Sequence, residues 1–212
     1  SQGIRVGENR VARLMRVWGM KARTHRIYRR LLTRRAVLKA WPNYRLAMAK
    51  PVAINQQWSS DVTYIKMGRK NVFLAVVLDL FSRRIVGWKL EASLSGDLSC
   101  GALKQAMADR SPSPGLLLHT DRGTEFRALK MRNMLTRHQV VHSMSRPGYC
   151  TDNAEVESFF KSLKGELLHA TSFVTLRQLR HHIKHYIERF YNTRRLHSSL
   201  GYRTPLEFEG AN

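Results

Sequence analysis

Three acidic residues carry the spacing of a metal-dependent phosphoryl-transfer site. Asp121 closes the apolar run Leu116-Leu117-Leu118-His119-Thr120, and Glu157 lies on a stretch of helical spacing from Thr151 to about Leu168. Between these two acids stand 35 residues, and 59 more separate Asp121 from Asp61. Asp61 sits in Trp58-Ser59-Ser60-Asp61-Val62-Thr63-Tyr64-Ile65, which alternates like a strand. Lys164 follows Glu157 by two helical turns and so shares its helix face. Three crowded carboxylates repel one another unless a cation holds them. Mg²⁺ prefers carboxylate oxygen and keeps several waters, so a few converging acids suffice. Two such ions clamp the attacking and leaving oxygens of an in-line displacement.

The elements that must position these acids form an α/β pattern. Strands are predicted at 58–66, 71–79 and 83–91, a helix at 95–109, a strand at 116–120, a helix at 125–137 and a strand at 139–143. Strand 71–79 is apolar from Val72 to Leu78, as suits the centre of a covered sheet. Asp79, at the following hairpin beside Ser82 and Arg83, reads as structural. Gly123 permits a tight turn out of Asp121, and 145–150 reads as a mobile loop over the site. Asp152 or Thr151 is the expected N-cap of the next helix. On that helix Val156, Phe160, Leu163 and Leu167 make an apolar stripe, while Asn153, Glu157, Lys161 and Lys164 fall on another face. Glu155, the rival acid, is rotated about 200° from Glu157 on an ideal helix. A last helix over 175–192 carries the stripe Leu176, Leu179, Ile183, Tyr186, Ile187 and Phe190. His181, His182 and His185 there lack a carboxylate or Cys partner nearby and read as a solvated basic flank.

These blocks resemble the catalytic half of bacterial insertion-sequence transposases of the retroviral-integrase superfamily, the group with a DD(35)E triad and a Lys seven residues on. The resemblance rests on Trp58–Thr63, Leu78–Trp88, His119–Phe126, Ser145–Lys164 with Asp152-Asn153-Ala154, and Tyr191-Asn192-Thr193-Arg194-Arg195-Leu196-His197 with Leu200-Gly201-Tyr202 and Thr204-Pro205. It implies a ribonuclease H-like fold, a mixed five-stranded sheet flanked by helices. It further implies DNA cleavage at transposon ends and strand transfer. In that scheme Asp61 bridges two Mg²⁺ (Mn²⁺ being the alternative), Asp121 holds one and Glu157 the other. Lys164, Lys161 and Asn153 would meet DNA, and His119 would touch substrate or fill the wall. The implied partners are double-stranded DNA, further copies of the chain on that DNA, and an upstream-frame DNA-binding protein. The implied place is the bacterial cytoplasm, at the nucleoid. Two rival readings are a ribonuclease H-like nuclease that cuts without joining and a catalytically silent DNA-binding derivative.

The charge supports a polyanionic partner. The formal net charge is +22, and residues 1–57 hold 14 Lys/Arg against the single acid Glu8. Val11, Leu14, Met15 and Trp18 keep helical spacing before Gly19, with Arg10 and Arg13 on other faces. This small basic helical segment, 1–21, looks like the remnant of a helix-turn-helix, and its arginines read either as phosphate contacts or as a solvated face. Residues 22–52 read as a basic arm, with Arg29, Arg30, Arg34 and Arg35 toward DNA and Tyr28, Trp41 and Tyr44 interleaved. The catalytic core is expected over 53–210. The start at Ser1 without Met suggests a fragment or a processed chain. Cys100 and Cys150 form no Cys-x-x-Cys pair, which argues against a disulfide scaffold or zinc module. No apolar run approaches the roughly 18 residues of a membrane helix.

Overall fold

A computed structural model describes residues 7–20, 41–169 and 171–211. Arg29, Arg30, Arg34 and Arg35, assigned to DNA above, lie outside the described residues. The chain divides into two units, 1–40 and 41–212. In the first, helix α1 (Glu8–Val17) ends where Gly19 takes a left-handed φ of 62°. Arg10 and Arg13 are exposed on it, as are Val11 and Trp18.

In the second unit, alternation of side chains builds a sheet whose two faces are both covered. The strands are β1 (Gln57–Met67), β2 (Lys70–Asp79), β3 (Ile85–Glu91), β4 (Leu117–Thr120) and β5 (Val141–Met144), in the order β3-β2-β1-β4-β5. β1–β2 and β2–β3 pair antiparallel, β1–β4 and β4–β5 parallel. This mixed sheet with flanking helices is the ribonuclease H-like fold. The helices are α2 (Gly96–Arg110), the short α3 (Thr124–Arg127), α4 (Leu129–Arg137), α5 (Ala154–Leu163), α6 (Leu176–His185) and α7 (Pro205–Gly210).

On one face Leu74, Val76 and Leu78 of β2 pack against Val156, Phe159 and Leu163 of α5 and Leu179 and Ile183 of α6. On the other, Trp58, Ala75 and Val77 meet Leu98, Leu103 and Ala106 of α2 with Phe126, Met131 and Leu135. Each such fully buried side chain contributes about 1.5–3 kcal/mol. Gly87 lets α2 press onto β3, since a Cβ there would lie 2.3 Å from the Ala102 carbonyl oxygen.

Several boundaries differ from those read in the sequence. The helix expected at 125–137 is broken at Ala128, whose backbone is extended at φ −57°, ψ 145°. β5 starts two residues later than expected, at Val141. The helix expected from 151 opens with a 3₁₀ turn, Cys150–Asn153, and becomes α-helical only at Ala154. Beyond Leu163 it widens into a π turn, Lys164–Leu168, and α6 widens likewise over Tyr186–Tyr191. The arm drawn to 52 is packed on the core from residue 41 onward. Trp41 lies against the second cluster, and Arg45 bonds the Asp152 carbonyl oxygen at 2.6 Å and the Glu155 carboxylate at 2.6 Å.

Candidate active site

Strand register places two of the acids side by side. In the parallel β1–β4 pair Ser59 stands opposite His119 and Ser60 opposite Thr120. Carried one residue further, that register sets Asp61 abreast of Asp121. A helix brings the third acid. Ser59 Oγ donates to the Asn153 side-chain oxygen, and Asn153 Nδ2 reaches the Ser60 carbonyl oxygen at 3.4 Å, so the start of α5 is pinned to β1 beside Asp61. Glu157 follows one turn later on the same face. Asp61, Asp121 and Glu157 thus line one cleft of about 340 Å³, with Arg122, Asn153 and the 145–149 loop.

The electrostatics of this cleft are those of crowded acids. Burial, then the Asp121 carboxylate and, less strongly, those of Glu157 and Glu125, push the Asp61 carboxyl up to about 7, against one donor, the Val62 amide at 2.7 Å. Burial also raises Asp121, although the Gly123 amide donates to its Oδ1 at 2.8 Å. Both carboxylates therefore turn partly back onto neighbouring amides. Among the described residues, no three His, Cys, Asp or Glu side chains stand close enough together to cage an ion. Gly123 makes its turn with an ordinary φ of −54°. What it provides is room, because a Cβ there would fall 2.5 Å from the Glu125 carboxylate.

The neighbouring polar residues have other partners. Glu155 pairs with Arg45 at 2.6 Å and Arg83 at 3.3 Å, on the far flank of α5. Asp79 is fully buried and accepts from the amides of Asn55, Phe81 and Ser82 and from the Trp58 indole. His119 is fully buried, with its ring nitrogens 3.0 Å from Ser143 Oγ and Ser145 Oγ, so it fills the wall. Burial holds it down at about 4, neutral at physiological pH. Asp152 caps nothing. Its carboxylate takes the Arg146 amide and guanidinium and the Asn43 amide, which staples the 145–152 loop. Lys161 is exposed, whereas Lys164 is half-buried against Tyr64 rather than in the cleft. Asn153, assigned to DNA above, is buried, and its amide is committed to β1. The loop read over the site brings Arg146 and Tyr149 to the cleft, whereas residue types and spacing do not single out Arg122 there. The Arg146 guanidinium lies 4.1 Å from the Tyr149 ring centroid, a neighbour that no spacing rule reveals.

Known proteins resemble this chain in sequence. The integrase core domain family matches residues 51–150, and a second family of the same description matches 138–205. The transposase for insertion sequence element IS904 of Lactococcus lactis is 37% identical over 210 residues, covering 99% of this chain and 83% of that protein. This chain belongs to the insertion-sequence transposases of the retroviral-integrase superfamily. Transposase InsF for insertion sequence IS3A of Escherichia coli is 40% identical over 158 residues, 74% of this chain and 55% of that protein. In three dimensions the transposase resembles the HTLV-2 integrase catalytic core domain solved in complex with magnesium (TM-score 0.56, 18% identity, 74% of this chain and 98% of that one). It also resembles a chain of the simian T-cell lymphotropic virus intasome (TM-score 0.63, 17% identity, 76% of this chain and 56% of that one). Those likenesses concern the fold. As a family member the transposase is an enzyme of the DDE polynucleotidyl-transferase class. No helix among its described residues is long and apolar enough to cross a membrane.

Proposed function

We propose that Asp61, Asp121 and Glu157 are the catalytic acids of this transposase, acting on double-stranded DNA at the ends of its element and then on the target. The observation that carries the assignment is their convergence, from β1, the end of β4 and α5, on one cleft.

The residues fit a divalent metal. The donors are hard carboxylate oxygens lining one cleft, and burial, with the neighbouring acids adding to it, lifts Asp61 to about 7, a cost that a bound cation relieves. Asp61, flanked by the other two, would be the shared ligand, with Asp121 and Glu157 holding one ion each, Mg²⁺ or Mn²⁺. Two such ions would supply charge stabilisation to the entering and leaving oxygens of the displacement. The chain's own contribution is position. The sheet fixes Asp61 and Asp121, the Asn153 anchor fixes Glu157, and the Arg146–Asp152 staple shapes the loop that closes one side of the cleft. In the first reaction a water oxygen bonds to phosphorus and the bond to the 3′ oxygen breaks, leaving a 3′-OH. In the second, that 3′-OH attacks a target phosphodiester and displaces the target's own 3′ oxygen.

The net charge of +22 supports DNA as the substrate. An element has two ends and each chain one cleft, so at least two copies act together on the DNA, in the bacterial nucleoid. The test is a cleavage and strand-transfer assay with an end duplex and a target plasmid. Asp61→Asn, Asp121→Asn and Glu157→Gln should each abolish Mg²⁺-dependent cutting and joining while DNA still shifts on a gel. Full cutting by any one variant removes that residue from the set. Cutting without joining by the wild type would make the protein a nuclease.

A further inference from the structure

β1 and α5 both continue past the cleft, and they meet again at a second groove. Tyr64 follows Asp61 by three residues, about 10 Å along a strand. Lys164 follows Glu157 by seven, about 10 Å along a helix. At that distance the Lys164 ammonium lies 5.7 Å from the centroid of the Tyr64 ring. Lys66, His169, Thr171 and Ser172, with the apolar Ile65, Leu168 and Phe173, are among the residues lining a cavity of about 400 Å³ that no acid lines. Among the described residues neither Lys66 nor Lys164 has an ion-pair partner. Tyr64 is 56% exposed. β4 pairs with β1 only as far as Ser60, so no strand lies beside Tyr64 on that side. The π turn begins at Lys164 itself, and such turns gather at functional positions.

Unpaired ammonium groups, hydroxyls and an exposed ring make a surface for a polymer that alternates anionic and aromatic units. A metal ion is excluded by the cations. A fully paired duplex would use the lysines but not the ring, because its base faces are covered by their neighbours. We propose that this groove binds an unpaired nucleobase of the DNA strand leaving the cleft, stacked on Tyr64, with its flanking phosphates on Lys66 and Lys164. Ten ångströms correspond to about three stacked nucleotides at ~3.4 Å each, fewer in an extended strand. The position of that base relative to the cut rests on the assignment of Asp61, Asp121 and Glu157 to the reacting phosphate.

The test uses the full chain carrying Asp61→Asn, without divalent ions, so that cutting plays no part. The probes are a labelled oligothymidylate, the same strand with one 5-iododeoxyuridine for photocrosslinking, and a blunt duplex. Tyr64→Ala should weaken oligothymidylate binding by roughly five- to a hundredfold, the equivalent of about 1–3 kcal/mol per stacked base. Tyr64→Phe should stay within about twofold of the parent, since the ring is retained. Binding of the blunt duplex should be unchanged, and the crosslink should map to Tyr64. Unaltered oligothymidylate affinity in Tyr64→Ala, or a crosslink on another segment, overturns the proposal. In the separate Mg²⁺ cleavage assay, cutting retained by Asp61→Asn would instead overturn the assignment of the acids and leave the binding result standing.

Discussion

A fully buried aspartate, Asp79, and a half-buried one, Asp61, on neighbouring strands have opposite fates. Asp79 is surrounded by donors, with the Asn55 amide at 2.7 Å, Phe81 at 2.9 Å, Ser82 at 3.2 Å and the Trp58 indole at 3.2 Å. Burial pushes its carboxyl up, and those backbone bonds pull it back. Asp61 has one donor and faces other acids. Asp79→Ala leaves several buried donors without an acceptor, each costing about 1–3 kcal/mol, so the loss should reach about 3 kcal/mol or more. Asp61→Asn removes mutual repulsion and should hold or raise the stability. Urea unfolding midpoints check both, and equal midpoints for the two variants would refute the contrast. The sequence already separated the two residues, because Asp79 stands at a hairpin and Asp61 inside an alternating strand. It also separated Glu157 from Glu155 by helix face. It held no sign of the distant partners of the Glu155 and Asp152 carboxylates, since Arg45 lies 110 residues from Glu155 and Asn43 lies 109 from Asp152.

At the scale of elements, the strands were legible in two ways, β1 by its alternation, with Thr63 and Ile65 buried and Tyr64 and Lys66 exposed, and β2 by an apolar run buried on both faces. Helix ends were less so. Ala128 is a good helix former, yet it breaks the predicted helix between α3 and α4, so the break answers to packing rather than to propensity. Lys164 lies over Tyr64 at the start of a π turn, and neither the contact nor the turn is visible in the periodicity. One clamp between elements yields a pH-dependent prediction. α7 is tied to the β2–β3 turn and to α2 by Glu209, which accepts from Ser82 Oγ at 2.8 Å, from Arg84 at 2.5 Å and from Arg110 at 2.8 and 2.9 Å. Burial raises the Glu209 carboxyl, but the bonds from Arg110, Arg84 and Ser82 together outweigh it and hold the group below the usual glutamate value. A depressed carboxylate stabilises the fold above its unfolded pKa of about 4.3 and loses that contribution as pH falls through the folded value. Glu209→Gln should therefore cost about 1.5–3 kcal/mol at neutral pH. The gap to wild type should close as pH drops below about 4. Urea denaturation at a series of pH values reads the difference, and a gap that persists undiminished into acid would mean the clamp acts by shape alone.

At the scale of the molecule, the two hydrophobic clusters both lie within 41–212, one on each side of the sheet, so the catalytic fold is self-contained. The charge is distributed differently. Residues 1–40 hold 12 Lys/Arg against Glu8 alone, half of the net +22 on less than a fifth of the chain. Arg10 and Arg13 on α1 are exposed and have no acid on their helix beyond Glu8. A stretch of that charge is suited to counterion release on a polyanion. Removing residues 1–40 should leave a chain that melts cooperatively, with nearly the same midpoint as the whole protein. Its affinity for duplex DNA should fall steeply at low salt. The slope of log K against log salt should become shallower by about 0.9 for every phosphate that is no longer neutralised, several units in all if the basic residues engage together. The decisive measurement is that slope for the full and shortened chains on one duplex. Equal slopes would show that the N-terminal charge never reaches the phosphates and that the catalytic unit's own surface, the Lys66 and Lys164 groove included, carries the whole electrostatic attraction.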